Sequence, residues 1–215
     1  EYLRGCLEER INDVVIELGH QGGSLNPTLY KNFKFEEENK AYKISYLCYN
    51  VNNYLPCVNQ QPNLVQNVGN EIKNAIKDQA STCLTKLENN LKSQGYEVTT
   101  KGSDDFEVKI IDDKILINFE KEFTITKTEE SRSLKKVNTF IKSEIGNLIN
   151  IAVESVNREV LTCDFDYVSY MKMYPKFKVE KQMTTDGTEI YTIIEREKGE
   201  WFRFAVRGCV IPPTY

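Results

Sequence analysis

The sequence predicts an α+β fold in which antiparallel sheets are covered by a long amphipathic helix and two shorter helices. Three observations carry that expectation. Apolar residues recur at three- and four-residue steps in three separate stretches, the period falls to two between and after them, and hairpin-type turns punctuate the period-two segments.

The first helical stretch runs over residues 3–18, where Leu3, Leu7, Ile11, Val14, Val15 and Leu18 form one stripe. Gly19 is read as its stop, and His20 to Pro27 as a loop rich in glycine and ending in proline. Residues 29–35 and 42–49 read as strands, joined by the solvated turn Glu36-Glu37-Glu38-Asn39-Lys40. Pro62 then introduces the longest periodic segment. Val65, Val68, Ile72, Ile76, Cys83, Leu87 and Leu91 place a helix over 63–93 that ends before Gly95.

From Tyr96 to Thr128 alternation predicts a three-stranded antiparallel meander with members 96–101, 105–111 and 114–127. Lys101-Gly102-Ser103 and Asp112-Asp113-Lys114 serve as its turns. A polar stretch around Glu129 to Lys136 leads to a third helix carrying Ile145, Leu148, Ile149, Ala152, Val153, Val156 and Val160 on one face. Strands are expected again at 165–173, 177–183, 189–195 and 201–206, with Thr185-Asp186-Gly187-Thr188 as a hairpin turn. There is no internal repeat or linker composition, so residues 1–215 are read as one domain, with 129–144 as the only place for a subdivision.

Composition narrows the function classes. The 215 residues carry 28 Lys+Arg against 32 Asp+Glu, a net charge of −4, which disfavours a dedicated nucleic-acid or anionic-membrane binder. A single histidine, His20, removes most chemistry built on histidine clusters. No apolar run reaches the roughly 18 residues of a membrane helix. The chain opens at Glu1 rather than Met, and the expectation is that a segment upstream of Glu1 was removed and that any membrane contact ran through it. Abundant asparagine and a preference for lysine over arginine speak of an AT-rich genome and not of function.

Six cysteines, Cys6, Cys48, Cys57, Cys83, Cys163 and Cys209, form an even set without a C-x-x-C pair. They read as disulfides in an oxidising, extracytoplasmic setting, the alternative being six buried thiols in a reducing one. Of fifteen pairings, Cys48–Cys57 ranks first because it closes a polar, Pro-terminated loop. Cys6–Cys83 comes second because Cys83 lies on the buried stripe of its helix and Cys6 beside the stripe of the first, so the bridge would join two packed helices, and Cys163–Cys209 is the remaining pair.

Each candidate for chemistry has a plainer reading. A thiol nucleophile with His20 as base and Gln21 as oxyanion donor needs a free cysteine, and a lone histidine beside a Gly-Gly turn reads first as a solvated loop residue. Asp164 and Asp166 would share one face of a strand, but two carboxylates are too few for a metal, and Asp112-Asp113 is a hairpin turn. Gly22-Gly23 lacks the preceding strand and the following Lys-Ser/Thr helix of a phosphate loop. Tyr42, Tyr46, Tyr49 and Tyr54 suit either sheet packing or a recognition patch. In 201–207, Phe202, Phe204 and Val206 share one face while Trp201, Arg203, Ala205 and Arg207 share the other. A strand with large side chains on both faces needs cover on both. The face carrying Trp201, Arg203 and Arg207 is therefore expected to meet another subunit or another layer of the same chain.

Three stretches together, Cys6-Leu7-Glu8 leading to Gln21-Gly22-Gly23, the Pro62-initiated helix with Cys83, and Thr188 to Ile193 followed by Phe202 to Arg207, resemble a family of uncharacterised archaeal surface proteins. The resemblance spans nearly the whole chain, with Cys48, Cys57 and Cys209 lying outside it. It implies an N-terminal pilin-like hydrophobic segment just upstream and carries no catalytic residues. The expected function is a non-enzymatic extracellular or cell-surface structural protein, a pilus-like filament subunit acting through self-assembly, adhesion or contact with other surface proteins, with no cofactor and no metal. The alternative is an extracellular ligand-binding module with its pocket near the Gln21–Gly23 loop, between that loop and the tyrosine-rich strands.

Overall fold

The computed structural model describes residues 1–127 and 130–209. In chain order the elements are α1 (Tyr2–Gln21), β1 (Tyr30–Phe33), β2 (Tyr42–Tyr49), β3 (Val58–Asn59), α2 (Leu64–Ser93), β4 (Glu97–Lys101), β5 (Phe106–Ile111), β6 (Lys114–Phe119), β7 (Glu122–Lys127), β8 (Glu130–Leu134), β9 (Val137–Lys142), α3 (Ile145–Thr162), α4 (Tyr167–Met173), β10 (Phe177–Met183), β11 (Glu189–Glu195) and β12 (Trp201–Arg207). The fold is α+β.

The main sheet has the order β1-β2-β12-β11-β10, with β3 adding to β2. Its pairings are antiparallel except β12 with β2, which run parallel. Strand β12 is central. Its Phe202, Phe204 and Val206 enter the main core with Tyr191, Ile193, Leu47 and the buried stripes of α1, α2 and α3. On the opposite face Ala205 joins Phe35, Ile44, Tyr46 and Ile190 in a smaller apolar cluster.

The expected meander is present in a longer and broken form. Strands β4 and β5 lie end to end along one arm, β6 and β7 along the second, and β8 and β9 along the third. The pairings β5-β6-β9 and β4-β7-β8 form separate ladders. The 101–103 turn of the sequence reading is thus a bend within one arm, bridged by Glu120 N–H donating to Asp105 O at 3.0 Å, whereas Asp112-Asp113 does turn the chain. The bend lets Phe106, Val108, Ile115, Ile117, Phe119 and Ile141 reach the common core. The polar stretch before α3 supplies the third arm: an exposed ladder takes polar side chains, so β8 has no apolar alternation to announce it. Glu129, the first residue of that stretch, lies outside the described residues.

Two further corrections concern helices. Residues 165–173 hold helix α4, not a strand. Asp166 caps it, its carboxylate accepting Ser169 N–H at 3.0 Å, and Tyr170 is buried against Phe165 one turn away from the cap. Aromatic and β-branched composition had suggested a strand, and the cap decides otherwise. Gly19 does not stop α1 but stays inside it, because the helix lies so close to β12 that a Cβ at Gly19 would sit 2.5 Å from the Trp201 carbonyl oxygen. The stop is Gly22, left-handed at φ 71°, with its N–H bonded to Leu18 O.

Three disulfides tie these layers: Cys6–Cys83 between α1 and α2, Cys48–Cys57 across the β2–β3 connection, and Cys163–Cys209 from the end of α3 to the end of β12. Their sequence separations of 77, 9 and 46 residues correspond, in the chain-entropy account, to about 4.5, 2.6 and 4 kcal/mol of stabilisation.

The Gly19 contact generates a prediction. Gly19→Ala forces α1 away from a backbone carbonyl that has no rotamer to yield, and is expected to cost about 1–3 kcal/mol. Thermal denaturation should show a lowered midpoint, while Gly5→Ala, which meets open space, should leave it unchanged or raised.

Candidate functional site

The most concentrated group of polar and aromatic side chains lies on the outer face of β12, where it meets the end of α1 and the β1–β2 connection. Arg203 is at its centre and is 8 % exposed. Its guanidinium binds the Glu38 carboxylate at 2.6 Å and lies over the Phe35 ring at 3.7 Å, with Trp201 and Tyr42 further out at 5.5 and 6.0 Å. One guanidinium nitrogen donates to His20 Nδ1 at 3.0 Å. Because arginine only donates, Nδ1 must be the unprotonated nitrogen of the ring. The imidazole stacks on Tyr42 at 4.1 Å and 4°, and meets Trp201 edge-on at 5.2 Å.

His20 is therefore not a solvated loop residue. It occupies the last turn of α1, half-buried, and burial first, then the Arg203 charge, lowers its pKa to about 4. Nor is Glu36 to Lys40 wholly a solvated turn, since Glu38 folds back over the sheet. Burial raises the Glu38 carboxyl pKa, but the hydrogen bond and charge of Arg203 outweigh it and hold the group below its ordinary value. Sequence reasoning missed Phe35, Glu38 and His20 as partners of Arg203. The only available signal was the two arginines, Arg203 and Arg207, on the second face of a strand whose first face is apolar, since a charge covered there demands a counter-charge.

This arrangement encloses Arg203 within the chain's own residues 33–42 and leaves Trp201 and Arg207 partly exposed. Arg207 lies beside Tyr49, donating to its hydroxyl at 3.2 Å. There the chain enters the loop stapled by Cys48–Cys57, on which Val51 and Tyr54 are 71 % and 62 % exposed and Leu55 is also exposed, as is Val58 at the start of β3. The four tyrosines thus divide: Tyr46 is buried and bonded to Thr188, Tyr42 and Tyr49 are partly covered, and Tyr54 projects.

Outside the Arg203 group a cleft of about 600 Å³ opens between α1 and residues 40–43. Asp13 and Glu17 line the helix side, Lys40 and Lys43 the other, and His20 and Tyr42 lie between. The two lysines rest over the rings of Tyr42 and Tyr30, at 4.9 and 5.0 Å, and not against the acids. The Gly22-Gly23 turn borders a smaller polar recess with Ser24, Gln61, Asn67 and Asn70, and it bears no resemblance to a phosphate cradle.

The remaining charged candidates are engaged structurally. Asp164 and Asp166 do not share a strand face: Asp166 caps α4, and Asp164 approaches Lys181 at 3.7 Å. Buried Glu144 accepts from Lys176 and Lys198 at 2.9 Å each and from Asn147 at 2.8 Å. Burial opposes its ionisation, but those hydrogen bonds prevail and bring its pKa down to about 2, which makes it a poor proton donor or acceptor near neutrality. Glu159 is bonded to the Tyr191 hydroxyl and faces Lys181. Among the described residues no group of three or more His, Cys, Asp or Glu is placed to hold a metal ion, and no helix is long and apolar enough to cross a membrane. All six cysteines are paired, as expected of an oxidising environment.

Compared with protein-family models, curated proteins and solved structures, the chain finds no match in any of the three.

The Arg203 group sets a pH dependence that one residue controls. The pKa of His20 is lower folded than unfolded, so its contribution is complete above about 6.5 and is lost as pH falls from there through about 4. With the residue partly exposed, solvent screening leaves an effect on the order of 1 kcal/mol. Since His20 is the only histidine, denaturant unfolding between pH 6.5 and 5 should show a positive slope of stability with pH that His20→Asn removes. Arg203→Ala strands Glu38 and should cost roughly 3–5 kcal/mol.

Proposed function

We propose that this protein is a non-enzymatic extracytoplasmic component of the cell surface, a structural subunit that works by self-assembly or by contact with other surface proteins. The observation that carries the reading is the stapled loop. Cys48–Cys57 holds in one place a stretch that has little core of its own, and Val51, Tyr54 and Leu55 project from it, with Val58 just beyond it and Arg207 alongside. Exposed aliphatic side chains around one tyrosine and an arginine have the make-up of a protein contact, and a covalent loop loses little entropy on binding. Three disulfides support an address outside the cytoplasm. The resemblance to archaeal surface proteins supports a pilus-like filament, attached through a hydrophobic segment upstream of Glu1.

A second reading is favoured by the cleft beside Tyr42. Its acidic and basic walls carry charges that do not pair across it, and such a site suits a small dipolar ligand in an extracellular binding module.

Electron microscopy and cross-linking of the native cell envelope test the first reading. Wild-type protein should appear in an assembly, and Val51→Asp with Tyr54→Ala should cut self-association or partner cross-linking at least tenfold without changing the far-UV spectrum. A monodisperse monomer that is absent from any envelope assembly would sink it. Loss of small-ligand binding on Lys43→Glu, with assembly intact, would favour the second.

A further inference from the structure

The three disulfides differ in a way that their connectivity does not suggest. Cys48, Cys57 and Cys83 are 0 %, 3 % and 0 % exposed, so two of the bridges have at least one sulfur sealed in the core. In the third, Cys163 is an exposed residue and Cys209 is half-buried. The same pair is conformationally singular: Cys163 at φ 57° and Cys209 at φ 55° are the only non-glycine residues with positive φ among the described residues. A side chain with a Cβ resists the left-handed region, so both ends of this bridge sit in backbone that neither cysteine would choose alone.

We propose that Cys163–Cys209 is a thiol-exchange site, open in the folded protein to a low-molecular-weight thiol, and that Cys163 is the sulfur attacked. Access and strain both make a disulfide easier to reduce. The direction of attack follows from the surroundings. Cys163 caps the C-terminal end of α3, where the helix carbonyls present partial negative charge, and Asp164 follows it. A thiolate is disfavoured there, so Cys209 is the better leaving group. The incoming thiolate forms a bond to Cys163 Sγ while the Cys163–Cys209 bond breaks. The electron pair leaves on Cys209 Sγ, which takes up a proton. A second thiolate then attacks the external sulfur of the mixed disulfide and releases Cys163. Two thiols become one small disulfide, and the protein gains two electrons and two protons.

Opening this bridge leaves the rest of the stapled region in place. With the bridge closed, Cys209 N–H donates to Leu55 O at 2.8 Å and Gly208 lies against Cys57, and neither contact runs through the Cys163–Cys209 bond. Released instead is the tie between the end of α3 and the end of β12, while the apolar face of α3 keeps its core contacts through Leu148, Ile149, Ala152 and Val156. The inference does not depend on surface assembly.

The test is to incubate the native protein with reduced glutathione, quench with acid, alkylate and map the peptides by mass spectrometry. Glutathione should appear first on Cys163 with Cys209 alkylated, at least tenfold faster than either other bridge opens, and with the far-UV spectrum unchanged. Equal rates for the three bridges, a first adduct on any other cysteine, or no adduct while the protein stays folded would each overturn the proposal. The Cys163→Ser/Cys209→Ser double variant should take up no glutathione under the same conditions, and uptake at the wild-type rate would also overturn it. If that variant fails to fold, the wild-type mapping decides alone.

Discussion

Strand β12 must be covered on both faces, and most of the molecule is arranged around that constraint. Its inward side chains, Phe202, Phe204 and Val206, are apolar and need only a hydrophobic layer, which α1 and α3 supply. Its outward side chains include Arg203, a charge placed where water is excluded. A buried guanidinium is tolerated only if its charge and its donors are met. Glu38 meets the charge and one terminal nitrogen, His20 takes the other and the Phe35 ring covers the plane, while Nε is buried without a hydrogen-bond partner among the described residues; the β1–β2 connection folds back over the sheet to bring two of those three groups into reach.

That folding-back has consequences for the rest of the site. It covers most of Glu38, holds Tyr42 against the His20 ring, and keeps the imidazole neutral by partly burying it beside a permanent cation. Beside it α1 lies directly on β12, an approach that glycine at position 19 permits. The cleft lies beside the same corner, with α1 on one side, residues 40–43 on the other, and the stacked His20 and Tyr42 rings between. A binding reading and a structural reading of this corner therefore share their residues. They differ in whether the opposed charges around the cleft meet a ligand or only water.

Two of the buried carboxylates, both on α3 or its cap, follow one rule. Glu144 and Glu159 each sit at an end of α3, and each is matched by lysines from β10, its lead-in or the β11–β12 turn. Their role is to fix how α3 lies on the sheet. The stapled loop differs in kind: its exposed apolar side chains have no such partners, and its shape comes from the Cys48–Cys57 bond, the edge of β2, Asn50 donating across it to Pro56 O, and Cys209 N–H donating to Leu55 O. Contact through that loop costs the fold nothing, which is why the functional reading rests there.

Much of this was legible in the chain. Period and spacing located α1, α2, α3 and the strands of the main sheet, because a 3.6-residue stripe and an alternation of two reflect burial directly. The pairing Cys48–Cys57 followed from a loop with no core of its own, and Cys6–Cys83 from two stripes that had to pack. The strand assigned to 165–173 failed because helix α4 is set by a cap at Asp166 and a short aromatic turn, too brief for periodicity to register. The bend in the meander and its third arm escaped because an exposed ladder carries no hydrophobic pattern. What the sequence by itself determined was the set of amphipathic elements and the even set of cysteines, since each residue's own chemistry dictates which face it buries. Only the tertiary structure decided that Glu38 and His20 serve Arg203, that Gly19 is a contact and not a stop, and that one bridge of three lies open. Those facts depend on which surfaces meet across distances of tens to hundreds of residues, and no local pattern encodes them.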